Sequence, residues 1–178
     1  GELVRALLTL EDGVRVGLFY TDRLGRKPEP PLDALPSSAL HWSNKSWRLS
    51  ALLSLYSRIP MDSIVGEGDI FHATDHVLPH LTGMRSVFTL HDLSFIACPE
   101  THLLWNRWFL RLAVPLFVQR SDVVICVSEH TRGDALRHYH LDESRIRVSP
   151  EGVDNRFRPV EDPKLRLTAR AKYGLPER

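Results

Sequence analysis

Sulfur is scarce in this sequence: two cysteines, Cys98 and Cys126, and two methionines among 178 residues. Two thiols cannot build a disulfide scaffold, nor a zinc site made mainly of thiolates. An excess of one charge is missing too, since 23 Lys and Arg stand against 22 Asp and Glu, a net charge of +1. That balance gives no global electrostatic case for a nucleic-acid partner. Long apolar runs are absent. The strongest candidate, Leu103 to Val118, is broken by Arg107 and Arg111 and carries Pro115, so it is too short and too charged to span a bilayer. No secretory leader is recognisable, which makes a reducing cytoplasm the expected address. No G-x-G-x-x-G, Walker-type loop or G-x-S-x-G occurs, and Gly66 and Gly68 precede a strand, the wrong side for a phosphate cradle.

What is present is ordinary globular material. Hydrophobic residues at 43% and charged residues at 25% exclude a disordered chain, and the length suits one domain or half of a two-domain protein. The chain opens without Met on GELVRALLTL, with Leu3, Val4, Leu7 and Leu8 on one helical face, which reads as a chain cut inside its first helix. Asp12-Gly13 signals a turn, and Val14 to Tyr20 alternates like a strand. The prolines of residues 23–38 predict a loop. A helix follows from about Ser43 to Tyr56, with Trp47, Leu52, Leu53 and Leu55 available for packing. Asp69 to His72 and Ser86 to Leu90 read as short strands. Thr101 to about Val118 reads as an apolar helix that Pro115 should kink or end, with Trp105 and Trp108 as core residues.

Val123 to Val127 is the most strand-like run, apolar enough for burial on both faces of a parallel sheet. Ser128 stands where a helix N-cap is needed, and Glu129 complements the positive end of that helix, which runs to about His138. Ile146 to Val148 is the last strand, and Gly152 is expected to supply a positive φ in the turn after it. Strands alternating with helices predict an α/β fold, a doubly wound parallel sheet of Rossmann-like type. Residues 1–159 form its domain, and 160–178 a basic linker helix.

Open α/β sheets bind ligands beyond the carboxyl ends of their strands. That rule selects His72 with Asp75 and His76, then His91-Asp92, Ser128-Glu129 and Glu151-Gly152. Each has a plainer reading: His72 as a satisfied histidine at the sheet edge, Asp92 and Ser128 as caps, Glu129 as a dipole partner. His72, His76 and His80 have the spacing of metal ligands on a helix, but Pro79 and Gly83 argue against a helix there. The run also lacks the order H-x-H-x-D-H, and HD-type phosphohydrolases are all-helical. No metal and no resident cofactor is therefore expected.

DIFHATDHVLPHL, SVFTLHDLSFIACPE, SDVVICVSEHTRGDAL and SRIRVSPEGVDNRFRP, taken in this order, resemble the acceptor-side domain of family-4 retaining glycosyltransferases from about residue 69 to 159. The resemblance implies one half of a GT-B architecture, without its opening strand and glycine-rich loop and without the nucleotide-sugar domain. It implies sugar transfer from a nucleotide-sugar donor to a glycan or glycolipid acceptor with retention, in polysaccharide or glycolipid assembly. It carries a catalytic role onto His91, at the reaction centre, and onto Asp92 beside it. His72, Asp75, Ser128 and Glu129 become substrate-binding residues. Glu151, where many members have Asn, receives no role. A non-catalytic carbohydrate-binding relative and a GT-B epimerase or phosphorylase are the alternatives. Donor, acceptor and linkage would be set by loops 21–42 and 73–85, for which no transferable code exists.

Residues 156–178 hold seven Lys and Arg against three acids. This run reads either as the solvated face of the linker helix or as a peripheral contact with anionic lipid at the inner face of the membrane.

Overall fold

The structure, a computed structural model, describes residues 2–10, 13–154 and 157–176. Four strands, β3 (Ile70–Ala73), β4 (Arg85–Leu90), β5 (Val123–Cys126) and β6 (Ile146–Val148), form one parallel sheet in that order. Two more, β1 (Leu18–Thr21) and β2 (Ser37–Leu40), pair in parallel as a separate small sheet. The class is α/β with parallel strands flanked by helices, as expected. The strands of the large sheet advance in one direction only, however. Phe19 of β1 lies 6.1 Å from Phe71 of β3, so the two sheets approach each other at these strands.

The large sheet is built on apolar strand residues with matched registers. Phe88 pairs with Val124 across β4 and β5, and Val124 with Ile146 across β5 and β6. Phe88, Leu90, Val124 and Cys126 are fully buried. The outward face of β5 is only half-buried, so this strand is not covered equally on both sides. Helix α5 (Leu104–Arg120) lays Phe109, Leu110, Ala113, Val114, Phe117 and Val118 on the core, a spacing that follows the helical repeat. Pro115 sits inside this helix without ending it, five residues before its last turn closes. The carbonyls left free at its C-terminal end find a partner in Arg145, whose guanidinium donates to Val118 O (3.2 Å), Gln119 O (3.0 Å) and Ser121 O. Asp122 ties the α5–β5 turn to β4 by accepting from Ser86 N and Oγ at 2.8 and 2.9 Å.

Several expectations need correction. The loop of residues 23–38 ends in a strand, β2, which runs Ser37–Leu40 and whose four residues carry no strand-like apolar alternation. The strand expected from Val14 begins only at Leu18. Helix α1 (Glu2–Leu8) buries none of its residues, so its apolar stripe meets no core among the described residues. Helix α2 (Asn44–Ser57), capped by Ser43, buries Trp47 and Leu55 as expected, but Leu53 is exposed. Gly152 has no positive φ. Gly13, Gly25, Gly66 and Gly174 do have one, and the most confined of them is Gly66, φ +101°, at the end of the one-turn helix α3 (Asp62–Val65). A Cβ there would come within 2.7 Å of Ser38 Oγ on β2. Asp12, one half of the expected turn, lies outside the described residues, as do Arg156, Glu177 and Arg178 of the basic run. The remainder of that run forms α7 (Pro163–Tyr173), with Asp162 as its N-cap and no buried residue. Among the described residues, no helix is long and apolar enough to cross a membrane.

Candidate functional site

All four strands of the large sheet point the same way, so the segments after Ala73, Leu90, Cys126 and Val148 emerge along one edge. Leu90, Cys126 and Val148 lie side by side in register there. The residue after Leu90 is His91, and its ring spans this edge. Nδ1 lies 3.1 Å from Glu151 Oε1, beyond β6, and Nε2 lies 3.0 Å from the Thr74 carbonyl, beyond β3. Both partners are acceptors. An imidazole satisfies both only when each ring nitrogen carries a proton, so this geometry suits the imidazolium form.

His76 stands against His91 edge to face, with ring centroids 5.9 Å apart. Its Nδ1 is buried with no hydrogen-bond partner among the described residues. Burial pushes its pKa below the ordinary histidine value, and His91 adds to this, against the opposing pull of Asp75 and Asp92. Asp75 accepts from the amide of His76 at 2.7 Å and is itself exposed. His76 lies at this edge beside His91, although the family resemblance gave it no role. Its signal was the polar run after β3, and only the fold showed that its ring turns back towards His91.

Asp92 accepts from Ser94 N at 2.8 Å at the start of the short helix α4 (Ser94–Ala97). Burial pushes its carboxyl up, yet the hydroxyl and amide of Ser94, with His76 and His102, hold it below the usual carboxylate range. From there a polar chain runs outward. His102 Nε2 meets Ser94 Oγ at 2.8 Å, Asn106 Nδ2 donates to His102 Nδ1 at 3.4 Å, and Arg48 donates to Asn106 Oδ1 at 2.9 Å. Arg48 also lies 4.3 Å over the Phe109 ring. Sequence reasoning missed Arg48 on α2, Asn106 on α5 and His102 in the turn before α5, which meet only in three dimensions.

The other expected residues are placed less directly. His72 Nε2 lies 2.8 Å from Thr89 Oγ1 on the neighbouring strand, and burial lowers its pKa. Ser128 caps helix α6 (Glu129–Tyr139) by accepting from Thr131 N at 3.1 Å, and Thr131 Oγ1 donates to the His91 carbonyl at 3.1 Å. The cap therefore holds the backbone of His91 rather than its ring. Glu129 points to solvent, 3.6 Å from Arg132. The structure thus brings His91, His76, Asp75, Asp92 and Glu151 to one edge. His72 lies within β3, Ser128 braces the backbone of His91, and Glu129 opens α6 at the same edge with its side chain in solvent.

Cys126, at the end of β5, is no nucleophile here: burial pushes its thiol up to about 11. Among the described residues, no three His, Cys, Asp or Glu side chains converge closely enough to hold a metal ion. Beside the small sheet, beyond the carboxyl ends of β1 and β2, an open hollow of about 490 Å³ is lined by Arg23, His41, Trp42, Ser43, Ser46 and Ser50. An exposed indole flanked by hydroxyls is a surface that a sugar ring can stack on and bond to.

Comparison with known proteins gives a consistent result. The model of Glycosyltransferase Family 4 matches residues 1–157. The O-antigen chain mannosyltransferase B of Escherichia coli is 26% identical over 106 residues, which is 60% of this chain and 27% of that protein. The chain therefore matches about a quarter of the length of that curated relative.

Proposed function

We propose, from the premise that this chain belongs to glycosyltransferase family 4, that it supplies the acceptor side of a sugar transfer from a nucleotide-sugar donor with retention of anomeric configuration. The observation that carries the reading is the ring of His91, held across the strand-end edge between Glu151 and the Thr74 carbonyl. An imidazolium fixed there offers positive charge and N–H groups where a departing diphosphate develops negative charge, and it needs no reorganisation during the reaction. To donate to substrate, one ring nitrogen exchanges its protein acceptor for a substrate oxygen. Glu151 then keeps the other nitrogen protonated and the ring oriented.

The remaining residues take supporting parts. Asp92, held ionised by Ser94 and the nearby histidines, and Asp75 accept hydrogen bonds from sugar hydroxyls. The hollow with Trp42 receives a unit of the glycan or glycolipid acceptor. In this mechanism the acceptor hydroxyl attacks on the face from which the diphosphate leaves. The leaving phosphate accepts its proton, so no pair of opposed protein carboxylates is required. Residues 1–159 act as the acceptor-side domain and α7 as the connection towards the domain that holds the nucleotide. The similarity to a mannosyltransferase makes mannose nucleotides the first donors to test.

The test is a nucleotide-sugar panel assayed for transfer and hydrolysis with the intact protein, beside His91→Ala. Turnover of one donor, lost by about 10²- to 10³-fold in the variant with unchanged circular dichroism, is the expected result. Turnover that survives the substitution removes His91 from the chemistry. Absence of both turnover and donor binding favours a non-catalytic carbohydrate-binding relative.

A further inference from the structure

The N-terminal half of α5 presents a face that the core does not use. Leu104, Trp105, Trp108 and Leu112 lie on one side of the helix at spacings of one turn, with Leu103 just before them. Trp105 is 65% exposed, Trp108 63% and Leu104 72%, which overturns the expectation that both tryptophans belong to the core. The helical repeat explains the outcome. Phe109, Leu110, Ala113 and Phe117 turn one face to the sheet, and positions 104, 108 and 112 necessarily turn the opposite way. Large apolar side chains gathered on one exposed helix face mark an interaction surface rather than scattered surface residues.

We propose that this face of α5 docks the protein on an anionic lipid surface. From Leu103 to Arg120 there is no acidic residue, while Arg107 and Arg111 flank the apolar stripe. An indole pair beside leucines, with arginines at the margin, is the composition of a helix lying in the headgroup plane. The charge pattern favours lipid over a second copy of the chain. In a two-fold contact the arginines of one copy would face those of the other with no acid on the helix to pair them, whereas anionic headgroups neutralise both. The location fits as well. The stripe begins beside His102 and Asn106, which lead through Ser94 to Asp92, so a bilayer meeting this face lies next to the strand-end edge. The surface is distinct from the basic run 156–178, for which sequence reasoning weighed lipid contact against the solvated face of a linker helix.

Vesicle co-sedimentation tests the assignment with the intact protein. One set of vesicles is phosphatidylcholine alone, and the other contains about one third phosphatidylglycerol. The expected result is binding to the anionic vesicles that weakens with salt. It falls at least about tenfold in Trp105→Ser/Trp108→Ser and about fivefold for each of Arg107→Gln and Arg111→Gln. All four side chains are exposed or half-buried at the surface, and circular dichroism checks that the fold is kept. Quenching of tryptophan fluorescence by brominated lipid, lost in the double variant, gives a second readout. Equal binding by the double variant overturns the proposal. So does a chain that ignores vesicles but sediments as a dimer that the double variant dissolves, because the occupant is then a second copy.

Discussion

The two sheets of this protein are held by different amounts of chain. In the large sheet, β4 and β5 each have a strand on both sides, and Phe88, Leu90, Val124 and Cys126 reach complete burial against α5. In the small sheet every residue of β1 is only half-buried, β2 alternates between half-buried and exposed, and α1 buries nothing. Its contacts with the rest include Phe19 against Trp47 at 4.9 Å and Phe71 at 6.1 Å, Leu40 against the core, Thr21 Oγ1 donating to Asn44 Oδ1 at 2.8 Å, and Gly66 close to Ser38. The candidate catalytic edge belongs to the well-buried sheet, and the hollow with Trp42 to the loosely held one. Under the function proposed above, the reaction edge lies on the better-buried sheet and the acceptor surface on the less buried one.

The comparison is broken most directly by truncating one aromatic in each sheet. Phe88→Ala is expected to cost about 3–5 kcal/mol, the transfer term plus a cavity that the surrounding strands cannot close. Phe19→Ala should cost about 1–2 kcal/mol, since the ring is partly exposed already and loses mainly its aromatic neighbours. Urea midpoints read both. Equal losses would mean that the small sheet is as much a part of the core as the large one.

Helix caps give a smaller and more local version of the same contrast. Ser43 caps α2 beside the small sheet, accepting from Ser46 N at 3.1 Å, and Ser128 caps α6 on the large one. Each Ser→Ala change should remove about 1 kcal/mol. Hydrogen exchange should then separate them. Ser128→Ala lowers protection across β4–β6 together, whereas Ser43→Ala lowers it first at Ser46 and in β1–β2. Uniform loss in both variants would show one cooperative unit.

The smallest expected effect is a pH dependence carried by His72 and His76. Burial holds both below the ordinary value of 6.5, so the unfolded chain binds more protons than the folded one as acid is added. Their stabilising contribution is present above pH 6.5 and is lost as pH falls through the depressed folded values. The melting temperature should therefore drop below pH 6.5, and His72→Gln should flatten that slope. A wild-type slope unchanged by the substitution would place the titration elsewhere.

Much of the large sheet was legible beforehand because its signals are local. Val123 to Val127 is apolar and β-branched enough to be read alone, and Ser128 declares a cap by its place after that run. The polar residues after each strand announced the edge. What escaped were features with weak local signals. The SSAL of β2 has no apolar alternation and becomes a strand only because β1 offers it a partner. Pro115 was expected to kink or end the helix, and α5 in fact continues past it to Arg120 with Phe117 and Val118 buried.

Composition, the four strands of the large sheet and the set of ionisable residues at their ends followed from the sequence alone, because each depends on neighbours within a few positions. Three things were decided only by tertiary structure. His76 joined His91 because the segment after β3 turns back over the edge. Glu151 became the partner of His91 across sixty residues because β4 and β6 both end there. Trp105 and Trp108 were left outside because a helix has one face for the core, and which face it gives depends on where the sheet lies. Local pattern sets what a segment can bury, and only the assembled fold determines what it does bury.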